Sequence, residues 1–202
     1  MLVQRLRIAF ATLAIAAATS AFAQAPSARI RGAVEKLDGG VATVKTTEGQ
    51  SVTLKLAPNL SVSAVARINA SDIKPGSYIG AGARPMPDGS LSAIQVMVFP
   101  EAQRGTGEGH RDWSAMPQTT MTNATVSEAV SAVNGPVVTL KYKDGEKKLV
   151  IGPDATILTS VPAEAADLKV GAELVTTATK NEDGTFSTAR VTVGKNGVAP
   201  PL

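Results

Sequence analysis

The sequence predicts an all-β fold of two tandem small barrels, each of five to six strands, packed together behind an N-terminal signal helix. Three observations predict it. The chain repeats itself at an offset of 95 to 96 residues, its apolar side chains alternate with polar ones, and glycine-bearing turn dipeptides recur in the same order in both copies. A repeat of this kind marks duplicated units, and period-2 alternation marks half-buried strands.

The first element is a leader. Arg5 and Arg7 precede an apolar run from Ile8 to Ala18, and Ala21-Phe22-Ala23 supplies small residues where a signal peptidase cuts. The run is shorter than the roughly 20 residues needed to span a bilayer. The expected organisation is therefore 1–23 signal peptide, 24–99 first β-barrel repeat, 100–123 inter-repeat loop and 124–202 second β-barrel repeat. The leader carries two of the 20 basic residues and none of the 17 acidic ones, so the mature chain has 18 against 17, a net charge of about +1. The expected location is the periplasm, as a soluble protein with no transmembrane segment after cleavage. A pI near 9.3 invites a nucleic-acid reading, but the basic residues are interleaved with acids instead of clustered on one face, so no nucleic-acid partner is expected. With no cysteine in the chain, disulfides, thiolate nucleophiles and zinc-thiolate sites are excluded.

The repeat pairs Gly32-Ala33-Val34 with Ala129-Val130, Asp38-Gly39 with Asn134-Gly135, and Val41 to Val44 with Val137 to Leu140. It continues through Val52, Leu54 and Leu56 against Leu149 to Ile151, and ends on Asp88-Gly89 and Asp183-Gly184. These Asn-Gly and Asp-Gly steps suit hairpin turns, which need positive φ. Between the fourth and fifth strands of each copy lies Asp72-Ile73-Lys74-Pro75-Gly76 or Asp167-Leu168-Lys169-Val170-Gly171. This segment reads as a tight turn whose Ile73 or Leu168 plugs one barrel end. Cores of Val, Ile, Leu and Ala, with few aromatics (Tyr78, Phe99, Trp113, Tyr142, Phe186), leave little room for a cavity inside a barrel. A unit of about 70 residues is marginal by itself, so the two are expected to pack together.

In this order of motifs the chain resembles a bacterial family of exported, repeat-built small β-barrels catalogued as a domain of unknown function. The resemblance covers about 29–99 and 125–194, and Asp-Leu-Lys-x-Gly with its following strand carries most of it. It implies an OB-like or similar barrel in the cell envelope and no particular activity. Pro75 departs from the pattern only in local turn geometry.

The inter-repeat loop holds the chain's only histidine and only tryptophan, His110 and Trp113, beside Arg104, Glu108, Arg111 and Asp112. Loops on rigid scaffolds are where binding residues gather, so these six are the ligand- or partner-binding candidates. Glu108, His110 and Asp112 alternate and would share a face in an extended strand, which offers a weak divalent-metal site as the alternative. Gly105, Gly107 and Gly109 lack the spacing of a dinucleotide fingerprint. Lys141, Lys143, Lys147 and Lys148 are interrupted by Asp144 and Glu146 and read as a solvated edge. No residue set marks a catalytic centre, and no cofactor is expected. The expected function is a non-catalytic periplasmic binding or interaction module for an envelope protein or a small ligand.

Overall fold

The structure, a computed structural model, describes residues 26–132 and 135–201; the leader and Asn134 of the expected second turn lie outside them. The chain is all-β. Among the described residues there are twelve strands in one continuous sheet. They are β1 (Ser27–Asp38), β2 (Val41–Thr46), β3 (Ser51–Arg67), β4 (Tyr78–Pro85), β5 (Leu91–Val98) and β6 (Gly109–Asp112), followed by β7 (Thr120–Val130), β8 (Val137–Tyr142), β9 (Gly145–Val150), β10 (Thr156–Val161), β11 (Glu173–Lys180) and β12 (Phe186–Gly194). Among the described residues no helix is long and apolar enough to cross a membrane.

Alternation sets the faces. Ile30, Gly32 and Val34 point inward from β1, as do Ala42 and Val44 from β2, while Arg29, Arg31 and Thr43 point outward. Five strands then close on themselves. β1 pairs with β2, β2 with β3, β3 with β12 in parallel, β12 with β11, and β11 returns to β1. This closed five-stranded barrel encloses Ile30, Val34, Val44, Leu54, Leu174 and Val193, and Leu168 plugs it. Gly32 is required inside: a Cβ there would lie 1.9 Å from the Lys45 carbonyl oxygen, at a φ of +155°.

The remaining strands pair in the same cyclic order around a separate core. β7 pairs with β8, β8 with β9, and β4 with both β7 and β5. β5 meets β9 in parallel over Leu91↔Leu149 and Ser92↔Val150 only, then runs beside β10. The core of this second unit holds Ile79, Val96, Val126, Leu140 and Leu149, with Ile73 in the plug position.

Each unit is therefore built from both halves of the chain. The barrel takes β1 to β3 from the first repeat and β11 and β12 from the second; the other unit takes β7 to β10 from the second and β4 and β5 from the first. Residues 24–99 and 124–202 do not each close by themselves, in contrast to the tandem arrangement read from the sequence. The two plug segments show the exchange directly. Gly171 N donates to Val34 O at 2.8 Å and Val34 N to Ala172 O at 3.0 Å, while Gly76 N donates to Val126 O at 2.7 Å and Val126 N to Ser77 O at 2.8 Å. Each plug docks on the first strand of the opposite half. Both are stiffened alike, Asp72 Oδ2 accepting from Asn69 N at 2.9 Å and Asp167 Oδ2 from Glu164 N at 2.8 Å.

The antiparallel β3–β10 pairing joins the two sets of strands and sets Val65 opposite Ser160, 95 residues on in the chain. β1 and β7 carry the same bulge, after Val34 and after Val126. The counterpart of Val34 is thus Val126, and the alignment of Gly32-Ala33-Val34 with Ala129-Val130 is corrected. Only two residues separate β1 from β2, whereas six separate β7 from β8, so the offset changes across that hairpin.

Candidate functional site

The segment between the repeats is folded onto the second unit. After a 3-10 turn at Glu101–Gln103, strand β6 pairs with β7, which begins at Thr120, ahead of the expected boundary at 124. The six candidates play different parts. Arg104 is a clamp: its guanidinium pairs with Glu101, donates to Gly76 O at 2.8 Å and lies over the Tyr78 ring, 5.9 Å from its centroid. Glu108 Oε1 accepts the Lys143 backbone N–H at 3.0 Å. His110 Nδ1 lies 2.7 Å from Thr122 Oγ1, and its ring stacks on Tyr142 at 6.3 Å between centroids. Arg111 Nη1 donates to Gly107 O at 2.8 Å, and Asp112 lies exposed at the end of β6.

The metal alternative finds no ligand set here. Among the described residues no group of three or more His, Asp or Glu side chains is placed to hold an ion; Glu108 is turned to the β8–β9 turn and His110 to β7 by the contacts just given. The His110–Thr122 distance is that of a base and a hydroxyl nucleophile, yet Thr122 is 0 % exposed, so no substrate reaches its oxygen.

Burial lowers the pKa of His110 from 6.5, Lys147 lowers it further, and Asp112 opposes both. In the unfolded chain the imidazole keeps its ordinary value, so below about pH 6.5 the unfolded state takes up a proton that the folded state resists. Stability is complete above that value and declines as the pH falls through the lower folded pKa. A melting series from about pH 8 to 5 should show this decline in the wild type, and His110→Gln should flatten it. Burial also pushes the Tyr78 phenol upward, Glu108 adding to the effect and Arg111 and Arg104 opposing it. The phenol is held by donation to Thr106 O at 3.1 Å.

What the loop walls in is a cleft of about 500 Å³ at the seam between the two units, within the range of roughly 300–1,000 Å³ typical of small-ligand sites. Its floor is the outer face of β4 and β5, with Gly80, Gly82, Gln95 and Met97, and Phe99 just past the end of β5; Arg29, Ser63, Val65, Val175 and Thr192 of the barrel face it. Arg111, Asp112 and Trp113 form one rim, and Met121 and Asn123 of β7 complete the lining. The close seating of Trp113 depends on Gly82: a Cβ on that residue would stand 2.3 Å from Trp113 Cζ3. Gly80-Ala81-Gly82 was the available sequence signal, since glycine inside a strand marks a close approach by another group. Asn123 is 6 % exposed, and its Nδ2 donates to Thr106 O at 2.9 Å. Its Oδ1 is buried without a partner, a state shared among the described residues only by Thr120 Oγ1. Leaving such an acceptor unmet costs about 1–3 kcal/mol.

Of the six candidates, the cleft collects Arg111, Asp112 and Trp113 and leaves Arg104, Glu108 and His110 outside. Arg29, Gln95, Met97 and Asn123 were not legible as site residues, because they come from three strands, β1, β5 and β7, that only the exchange brings together. No family model matches the chain, and neither curated proteins nor solved structures yield a match.

Proposed function

We propose that this is a non-catalytic binding module of the bacterial envelope, periplasmic once its leader is removed, which holds a small ligand or a segment of a partner protein in the seam cleft. The observation that carries this reading is Trp113 laid on Gly82 beside a buried, unpartnered Asn123 Oδ1. An aromatic wall supplies large contact area at low entropic cost, and the polar side chains of Arg111, Asp112 and Gln95 on the cleft lining can fix a ligand's orientation. The lining joins an aromatic face to hydrogen-bond donors and acceptors, the combination that supports recognition.

Trp113 is the only tryptophan in the chain, so its fluorescence reports on the cleft alone. Titration with an anilinonaphthalene sulfonate dye should produce energy transfer from Trp113. Gly82→Val should displace the ring, shift the free protein's emission to the red, cost about 1–3 kcal/mol through overpacking and abolish the transfer. If the dye gives no transfer in the wild type, or transfer persists at full strength in Gly82→Val, the cleft is not the site.

A further inference from the structure

Beyond β12 the chain makes a 3-10 turn at Lys195–Gly197, in which Asn196 takes a left-handed φ of 56°. It then lays Val198 to Pro201 along the seam. Two carbonyls of this strap are read by β1: Arg31 Nη2 donates to Pro200 O at 3.0 Å and Arg29 Nη2 to Pro201 O at 3.1 Å. Arg29 and Arg31 alternate along the strand, so both guanidinium groups project from its outer face. At the other end Lys195 Nζ pairs with Asp167 Oδ2 at 3.2 Å.

The strap borders two cavities. Pro201 lines the Trp113 cleft, while Gly197 to Pro200 line a second space of about 400 Å³ with Arg31 and Arg67. Gln95 lines both. Proline has no N–H, so a Pro-Pro step offers neighbours only its carbonyls, in an extended conformation already fixed in φ. Aromatic-walled grooves take such segments because little chain entropy is lost on binding. Burial, and after it the adjacent Arg29, lowers the Arg31 pKa, with Glu173 and Glu48 opposing. Two neighbouring cations are here satisfied in part by neutral carbonyl dipoles.

We infer that the strap is an internal occupant of a peptide groove: the seam takes an extended, proline-containing peptide whose carbonyls replace those of Pro200 and Pro201 on Arg31 and Arg29, and the strap moves aside to admit it. This assignment rests on the seam cleft being the binding site, and it names the ligand class.

The test uses a capped peptide spanning Lys195 to Pro201, titrated into the full chain with Trp113 fluorescence as the signal. A second full chain carries Pro200→Gly and Pro201→Gly, which leave the strap its length and remove its stiffness. The peptide should bind this variant about tenfold more tightly than the wild type, and adding Arg29→Lys with Arg31→Lys should remove that gain while circular dichroism stays unchanged. Equal affinity for the two chains overturns the strap as occupant, and so does an absence of response in both. If the dye still reports through Trp113 while the peptide does not, the cleft survives as a site and the peptide assignment alone falls. Silence from both probes sinks both.

Discussion

Cutting the chain between its repeats should not separate them. With a protease site inserted at the exposed Gly105, the cleaved protein should elute as one particle of unchanged size and part into two fragments only in denaturant. The reason is the strand exchange. The barrel holds β11 against β1 over the register Ser27↔Thr179 to Ala33↔Glu173, and β12 against β3 from Phe186↔Leu54 to Gly194↔Val65. The opposite exchange binds β4 to β7 from Tyr78↔Thr125 to Ala83↔Thr120. Separating the pieces would open both cores at once, so the contact is of the obligate kind, apolar as a divided domain core. Residues 24–104 produced alone should stay unfolded and fold when the complementary piece is added. Two cleaved fragments that separate on simple dilution would disprove the exchange.

Leu54→Ala and Leu149→Ala should each lower one shared unfolding transition. Both leucines are 0 % exposed, and they occupy equivalent places in the two cores, 95 residues apart. Truncating a buried leucine costs about 2–5 kcal/mol, because transfer energy is lost and the cavity does not fully collapse. For a protein of this length 1 kcal/mol is worth roughly 2–4 °C, so each variant should melt roughly 5–20 °C below the wild type. Because every unit contains strands of both repeats, damage to either weakens the whole, and calorimetry should show one peak in both variants. A split into two peaks, one at the wild-type temperature, would mean that the units unfold independently. Val41→Ala, at a residue 39 % exposed, is the control, with an effect within about 0.5 kcal/mol.

Much of the local structure was legible. The alternation of Val52, Leu54 and Leu56 and the plug roles of Ile73 and Leu168 appear where the sequence places them. The Asp-Gly turns form as expected, with Gly89 at φ 82° and Gly184 at φ 80°. The repeat was misaligned at its first strand because the β7–β8 hairpin has a longer loop than its counterpart. Of the cleft's lining, Trp113, Arg111 and Asp112 come from the loop that its unusual composition singled out. Asn123 closed the same loop without looking exceptional, and its importance comes from an oxygen that packing leaves unpartnered.

The sequence by itself determined which residues face inward and where the chain turns; side-chain alternation and glycine at positive φ encode both locally. The tertiary structure alone decided which strands are neighbours. Backbone N–H and C=O groups along a strand edge are alike in every residue but proline, so a β3 that can pair with its own hairpin partner's sequel pairs equally well with the sequel 95 residues later. The plugs and the β3–β10 pairing settle that choice by burying Ile73 and Leu168 in the opposite unit, and the same choice places Arg29, Gln95, Trp113 and Asn123 around one cleft.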